Sequence, residues 1–299
     1  MTDQAVRWVV ESAGRSATVV ATERLRGGTS SIVERIDLRN ASRLDRYVLR
    51  RFESADWLRL EPDLARHEAA ALGRALEADI ATPHLLAFDE TGSRCGMPAV
   101  LMSHLAGAVE LNPADIERWL DRLADALARI HRVRTDGFPW RYYTYVDLST
   151  ISAPSWSQRR EEWSRALETL GGPAPVVRDC FIHRDYHPTN VLWLDGAISG
   201  VVDWVNACIG PAGVDIGHCR VNLAQLHGVD VADAFLAAYR RHAGSTFAYH
   251  PYWDILSLVD ILDGPPEVYQ GWTDFGVTGL TDELMADRLD AYLASLVAS

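Results

Sequence analysis

The sequence contains no lysine: all 29 basic side chains are arginine. Any function that needs a lysine is therefore excluded unless arginine takes its place. Basic charge is also short overall, because 41 acidic residues leave a formal charge of −12. A general nucleic-acid binder, which needs a basic face, is not expected. No stretch approaches 18 apolar residues free of charge, so no membrane span is expected. The start, MTDQAVRWVV, lacks a basic segment followed by an apolar one, so no secretory signal is expected either. The four cysteines, Cys95, Cys180, Cys208 and Cys219, form no CxxC pair. They read as reduced, buried thiols of a cytoplasmic protein rather than as a zinc site. Internal repeats and low-complexity tracts are absent.

What is present is an ordinary globular composition, 48% hydrophobic and 23% charged over 299 residues. That length suits two domains, or two lobes around a cleft. Charge is divided unevenly. Residues 1–103 hold 14 arginines and 15 acids, whereas 250–299 hold nine acids and one arginine. Concentrated negative charge raises the local concentration of a cation, which points to a cationic ligand in the later part of the chain.

The first hundred residues read as β-rich with one helix. Strands are expected at 17–22, 31–38, 47–52 and 99–105, and a helix over 62–77. Helices then dominate, at 112–130 (Asn112 as cap, Pro113 in the first position), 155–170, 231–242, 251–262 and 281–297. The fold class is α+β, with a β-rich lobe at 1–102 and a helical lobe at 103–299.

The stretch FIHRDYHPTN, running on to VVDW, carries the chemistry. Apolar runs at 191–194 and 197–202 flank Asp195-Gly196, a strong two-residue hairpin signal. If Leu194 pairs with Ala197, Asn190 stands opposite Val201, with Asp203 its diagonal neighbour at roughly 7–8 Å. An amide oxygen and a carboxylate so placed suit Mg²⁺, which keeps waters and substrate phosphates as its other ligands. Asp185, on the entering loop, would lie beside the ion and can accept the proton of an attacking hydroxyl.

With these residues the sequence resembles the aminoglycoside phosphotransferase and choline kinase-like family, which has the protein-kinase fold. His183, Asp185 and Asn190 match its H-x-D-x-x-x-x-N catalytic loop, and Asp203 its metal-binding segment. The resemblance implies Asp185 as catalytic base, Asn190 and Asp203 as Mg²⁺ ligands, and His183 as support for the loop. Asp215, in GPAGVDIGH, matches an aspartate that braces that loop, and His131 reads as a core histidine. Gly27, Gly28, Thr29 and Ser30, in LRGGTSS, resemble the phosphate loop. Met102, Ser103 and Leu105, in VLMSHL, resemble the adenine-binding hinge, through the Ser103 carbonyl and the Leu105 amide. One departure stands out. The family's third strand offers lysine to the phosphates, held by a glutamate, and here the strand reads YVLRR. Arg50 is the expected replacement, paired with Glu68, since a guanidinium forks onto phosphate or carboxylate.

The implied function is transfer of a phosphoryl group from ATP, or GTP, with Mg²⁺, to a hydroxyl of a small-molecule acceptor. Asp263, Glu267 and Asp274 are candidates for an aminated acceptor such as an aminoglycoside. The aromatic segment 140–145 would suit a macrolide sugar. Choline, homoserine and plain sugars are further candidates. A protein-kinase-like enzyme and a non-catalytic nucleotide-binding protein are the competing classes. Nucleic-acid and membrane partners are not expected, and the chain is expected to be a monomer or homodimer.

Overall fold

A computed structural model describes every residue except 15, 27–30, 246, 263 and 299. The chain runs α1 (Asp3–Ala13), β1 (Thr18–Arg24), β2 (Ile32–Asn40), β3 (Arg43–Arg51), α2 (Ala55–Leu60), α3 (Leu64–Ala75), β4 (Leu85–Asp89), β5 (Ala99–Ser103) and β6 (Ala108–Val109). It continues through α4 (Ile116–Ile130), α5 (Arg160–Gly171), β7 (Asp179–Ile182), β8 (Val191–Leu194), β9 (Ala197–Val201) and β10 (Cys208–Pro211). It closes with α6 (Ala212–His227), α7 (Val229–Ala243), α8 (Tyr252–Asp260), α9 (Gln270–Asp274) and α10 (Asp282–Val297). Two compact units result: Met1–Ala108 with Leu192–Asn206, and Val109–Val191 with Ala207–Ser299. This differs from the expected division at 102, because the β8–β9 hairpin belongs with the first unit. There the Val201 N–H donates to the Ala81 carbonyl at 3.0 Å.

The first unit is built on an antiparallel sheet in the order β1-β2-β3-β5-β4. Its inward side chains, Ile36, Leu38, Leu49, Ala99 and Leu101, close over Ala5, Trp8 and Val9 of α1. Burying such side chains contributes about 1.5–3 kcal/mol for each large one. Helix α1 was not expected; its cap is Thr2, whose hydroxyl accepts from the Ala5 N–H at 3.3 Å. The expected hairpin turn is present, with Asp195 at φ 51° and Gly196 at φ 70°, the left-handed pair that a tight primed turn requires.

The second unit is helical, with a two-stranded sheet of β7 and β10. Helix α6 runs through its centre, and all but three of its sixteen residues are buried. It has no apolar stripe because every face meets protein, which is why its periodicity gave no sequence signal. Helices α6 and α8 pack closely at glycine. A Cβ on Gly217 would stand 2.5 Å from the Trp253 carbonyl oxygen and 2.6 Å from Ser257 Oγ. Two helix starts differ from expectation. Helix α4 is capped by Asp115, which accepts from the Arg118 N–H at 3.0 Å, not by Asn112. Helix α5 starts at Arg160 rather than near 155, because Asp290 of α10 takes the Ser157 hydroxyl and the Gln158 N–H into its own hydrogen bonds. Among the described residues no helix is long and apolar enough to cross a membrane. The four cysteines are all free thiols.

Candidate active site

The catalytic-loop sequence lies in the second unit, between β7 and β8. Asp215, in the first turn of α6, fixes it from below. One carboxylate oxygen accepts from the Arg184 N–H at 2.6 Å, the other from the His183 N–H at 2.8 Å. His131 Nε2 lies 3.0 Å from the second oxygen, and His131 Nδ1 lies 2.7 Å from the Tyr239 hydroxyl. This carboxylate is fully buried yet fully engaged, the condition under which a buried charge is tolerated. It holds Arg184 at φ 68°, a conformation unfavourable for a residue with a side chain. The Arg184 guanidinium in turn lies over the Tyr143 and Tyr145 rings, at 4.7 and 4.2 Å, and donates to the Tyr143 carbonyl at 2.8 Å. The aromatic segment is thereby tied to the loop.

Asp185 follows directly. Its Oδ2 accepts from the Asn190 amide at 3.0 Å, and His218 Nε2 donates to its Oδ1 at 3.0 Å. His187 Nε2 stands 3.8 Å from the same Oδ1. Burial pushes the Asp185 carboxyl up. The charge of His187, the hydrogen bond and charge of His218, and the charge of His183 outweigh it, and hold the group well below the usual carboxylate range. His218 shows the reciprocal effect: burial lowers it, but the hydrogen bond and charge of Asp185, then the charges of Asp260 and Asp215, raise it. Asp185 is therefore an anion with both oxygens oriented and one-third of its side-chain surface exposed.

Asn190 and Asp203 do not extend the strand ladder as expected. Asn190 closes a 3₁₀ turn, Pro188–Asn190, before β8 begins. Asp203 lies two residues past the end of β9 and has φ 68°. The alternation of a pleated strand therefore does not set where either side chain points. Their chemistry still suits a hard cation. The Asn190 amide nitrogen is engaged with the Asp185 carbonyl and carboxylate, which assigns its oxygen as the donor toward a ligand. The Asp203 carboxylate is about a quarter exposed. An amide oxygen and a carboxylate are ligands that Mg²⁺ accepts.

In the first unit, Arg50 on β3 is a buried cation between two acids. Its Nη1 lies 2.6 Å from Asp203 Oδ1 and 3.4 Å from Glu68 Oε1. Desolvation raises the buried Glu68 carboxyl to about 7, although Arg50 pulls it down. Arg51, on the opposite face of the strand, pairs with Glu34 at 2.6 Å. Met102 is buried in β5 opposite Val48, and the Ser103 N–H donates to the His84 carbonyl at 2.9 Å. Leu105 follows just beyond the strand and is partly buried. Gly27, Gly28, Thr29 and Ser30 lie outside the described residues.

Of the acidic residues expected to meet the acceptor, Asp263 lies outside the described residues. Glu267 is exposed, and the Asp274 carboxylate accepts from the Gln270 amide at 3.1 Å. Neither lines the cavity of about 430 Å³ found in the second unit. Its walls include Val146, Ile151, Trp156, Trp163, Val259 and Asp260. Burial raises the Asp260 carboxyl, while His218 and Arg184 pull it down. His218 and Asp260 were both missed from sequence. A signal for His218 existed: it lies one helical turn past Asp215, on the side of α6 that already holds the loop. Asp260 ends an apolar helix, and only the folded chain shows its neighbours.

Residues 22–258 match the model of the "Phosphotransferase enzyme family". The chain belongs to this family. A homoserine kinase from Beijerinckia indica is 31% identical over 148 residues, covering 43% of this chain and 42% of that protein. The match thus spans less than half of that relative's length. Among solved structures, a thermostable mutant of the aminoglycoside phosphotransferase APH(4)-Ia, in a ternary complex with AMP-PNP and hygromycin B, superposes with a TM-score of 0.63. It covers 98% of this chain and 99% of its own, at 18% identity. The macrolide 2′-phosphotransferase MphH from Brachybacterium faecium gives 0.53 at 17% identity, over 87% of this chain and 88% of its own. The fold of this phosphotransferase is accordingly α+β and protein-kinase-like, as the sequence led one to expect.

Proposed function

We propose that this phosphotransferase moves the γ-phosphoryl group of ATP to a hydroxyl of an aminated small molecule, as a cytoplasmic enzyme. The observation that carries the reading is the Asp185 carboxylate, held ionised and held at both oxygens by His218 and Asn190. An anion so fixed accepts a hydrogen bond from the acceptor hydroxyl and aims its lone pair. Phosphoryl transfer passes through a loose transition state, so orientation counts for more than basicity, and a low carboxyl pKa suits the role. The hydroxyl oxygen forms its bond to phosphorus as the bond to the ADP oxygen breaks, and its proton leaves toward Asp185.

Arg50, steadied by Glu68, would pair with the nucleotide phosphates, and the backbone at Gly27–Ser30 would approach them. Met102, Ser103 and Leu105 would receive the adenine. Asn190 and Asp203 are the proposed ligands of Mg²⁺, which when bound offsets charge on the transferred group.

The acceptor reading rests on the cavity. Tryptophan, proline and aliphatic side chains share its wall with the hydroxyls of Thr150, Ser152 and Ser155, and Asp260 supplies one carboxylate, which favours a molecule with apolar and hydroxyl-bearing parts and one amino group. An aminated sugar on a larger apolar skeleton fits that description better than a polycation. The solved relatives named for aminoglycosides and macrolides bracket this chemistry; the homoserine kinase relatives add a smaller aminated alcohol.

ADP release across aminoglycosides, macrolides, choline, homoserine and neutral sugars tests the reading. Stimulation by amine-bearing acceptors, lost in D185N, is the expected result. No stimulation by any amine-bearing acceptor would overturn it.

A further inference from the structure

Asp185 does not stand beside one histidine but between two. Each of Asp185, His187 and His218 offers one ligand atom, and these atoms lie within 4.8 Å of one another. His218 Nε2 is 3.0 Å and His187 Nε2 3.8 Å from the same carboxylate oxygen. In tetrahedral zinc sites, with ligand distances near 2.0–2.2 Å, neighbouring donors stand about 3–3.5 Å apart, so small side-chain rotations bring all three onto one ion. The His187 ring is buried, with the Thr189 hydroxyl 2.9 Å from its Nδ1 and 3.0 Å from its Nε2, so that hydroxyl must turn aside as Nε2 takes the ion. His218 sits on α6, whose first turn is locked to the same loop through Asp215.

Two imidazoles and one carboxylate form a donor set for a borderline ion such as Zn²⁺ or Co²⁺. Mg²⁺, which prefers oxygen, is poorly matched to it. Three protein ligands leave a fourth position open, as in zinc sites that exchange water or ligand. The set also includes the carboxylate proposed to receive the acceptor hydroxyl. A carboxylate with Oδ1 on a doubly charged ion and Oδ2 held by the Asn190 amide cannot serve that hydroxyl as well.

We propose that Asp185, His187 and His218 form a binding site for a Zn²⁺-class ion, and that filling it switches off phosphoryl transfer. The site stands on geometry alone; the switch rests on the kinase reading above. It is distinct from the Mg²⁺ ligands Asn190 and Asp203 in both residues and ligand type.

The test begins without nucleotide, which would itself chelate the metal. Full-length protein freed of metal with a chelator is titrated with Zn²⁺ by calorimetry, and with Co²⁺ by visible absorption. One ion per chain, with the intense Co²⁺ bands of a four-coordinate site, is expected. H187Q and H218N should each weaken binding by more than the roughly 10–100-fold that loss of an outer partner costs, while H250Q, at an exposed histidine elsewhere, should not. If H187Q fails to fold, the half-buried H218N carries the comparison alone. No stoichiometric binding, or binding unchanged in H218N, overturns the site. With an acceptor that stimulates ADP release, Zn²⁺ should then inhibit wild type reversibly on chelation. It should inhibit H218N far less, each protein being compared with its own metal-free rate. Zn²⁺ bound at the three residues with the rate unaffected overturns the switch and the role of Asp185 together, while leaving the site in place.

Discussion

The two units each hold a partly buried carboxylate in place with positive charge, but with different chemistry. In the first, Asp203 is held by Arg50, a cation at every accessible pH. In the second, Asp185 is held by His218 and faced by His187, imidazoles that carry charge only when protonated. The contrast teaches which functions each can serve. A permanent cation holds its carboxylate at any pH. An imidazole pair holds its carboxylate by hydrogen bonding and by whatever charge its protonation gives it.

Four experiments break or sharpen this contrast. The largest effect is expected from D185N, which keeps the shape of the side chain but removes its charge. With an acceptor that stimulates ADP release, kcat should fall by about 10²–10⁴-fold, with KM for ATP little changed. A kcat within threefold of wild type would remove Asp185 from the reaction. Next is R50A in the first unit, which leaves Glu68 and Asp203 facing each other without their shared cation. Breaking a buried pair from one side costs about 3–5 kcal/mol, to be read by urea unfolding. A loss under 1 kcal/mol would show that Arg50 is no keystone.

The third concerns pH. Folding raises the Glu68 carboxyl from 4.5 to about 7. The folded chain therefore keeps a proton that the unfolded chain releases, and this residue's contribution to stability falls as pH climbs from about 4.5 to about 7. E68Q, always neutral, escapes that loss. Its stability relative to wild type should rise by up to about 3 kcal/mol between pH 4 and pH 8. A difference independent of pH would mean that Glu68 is ionised throughout and that the first unit holds a plain ion pair. The smallest effect is expected from D260N in the cavity wall. KM for an amine-bearing acceptor should rise about tenfold, worth about 1.4 kcal/mol, with kcat for a neutral acceptor unchanged. An equal effect on both acceptors would deny Asp260 a charge-based role.

Much of the site was legible because its residues sit close together in sequence. The spacing from His183 to Asn190, and the Asp195-Gly196 turn, are local patterns that survive folding intact. The Arg50–Glu68 contact was legible for another reason: with lysine missing, few residues on the strand could take its place. The strand reading of Asn190 and Asp203 failed because each leaves the extended conformation just outside the hairpin, one in a 3₁₀ turn and one at positive φ. Helix α6 gave no periodic signal because burial on all sides erases it, and His218 was lost with that signal. Asp260 could not be singled out, since nine acids in the last fifty residues look alike until the cavity is formed.

The glycine contact between α6 and α8 has a consequence for the cavity of the second unit. Helix α6 carries His218 and braces the catalytic loop, while α8 ends in Asp260 on the cavity wall. Their separation is set where Gly217 admits the Trp253 carbonyl and Ser257. A single added methyl there would push the cavity wall that ends in Asp260 away from the helix that carries His218. The width of this cavity is thus adjustable from the interior, like the focus of a lens moved by its mount rather than by its glass.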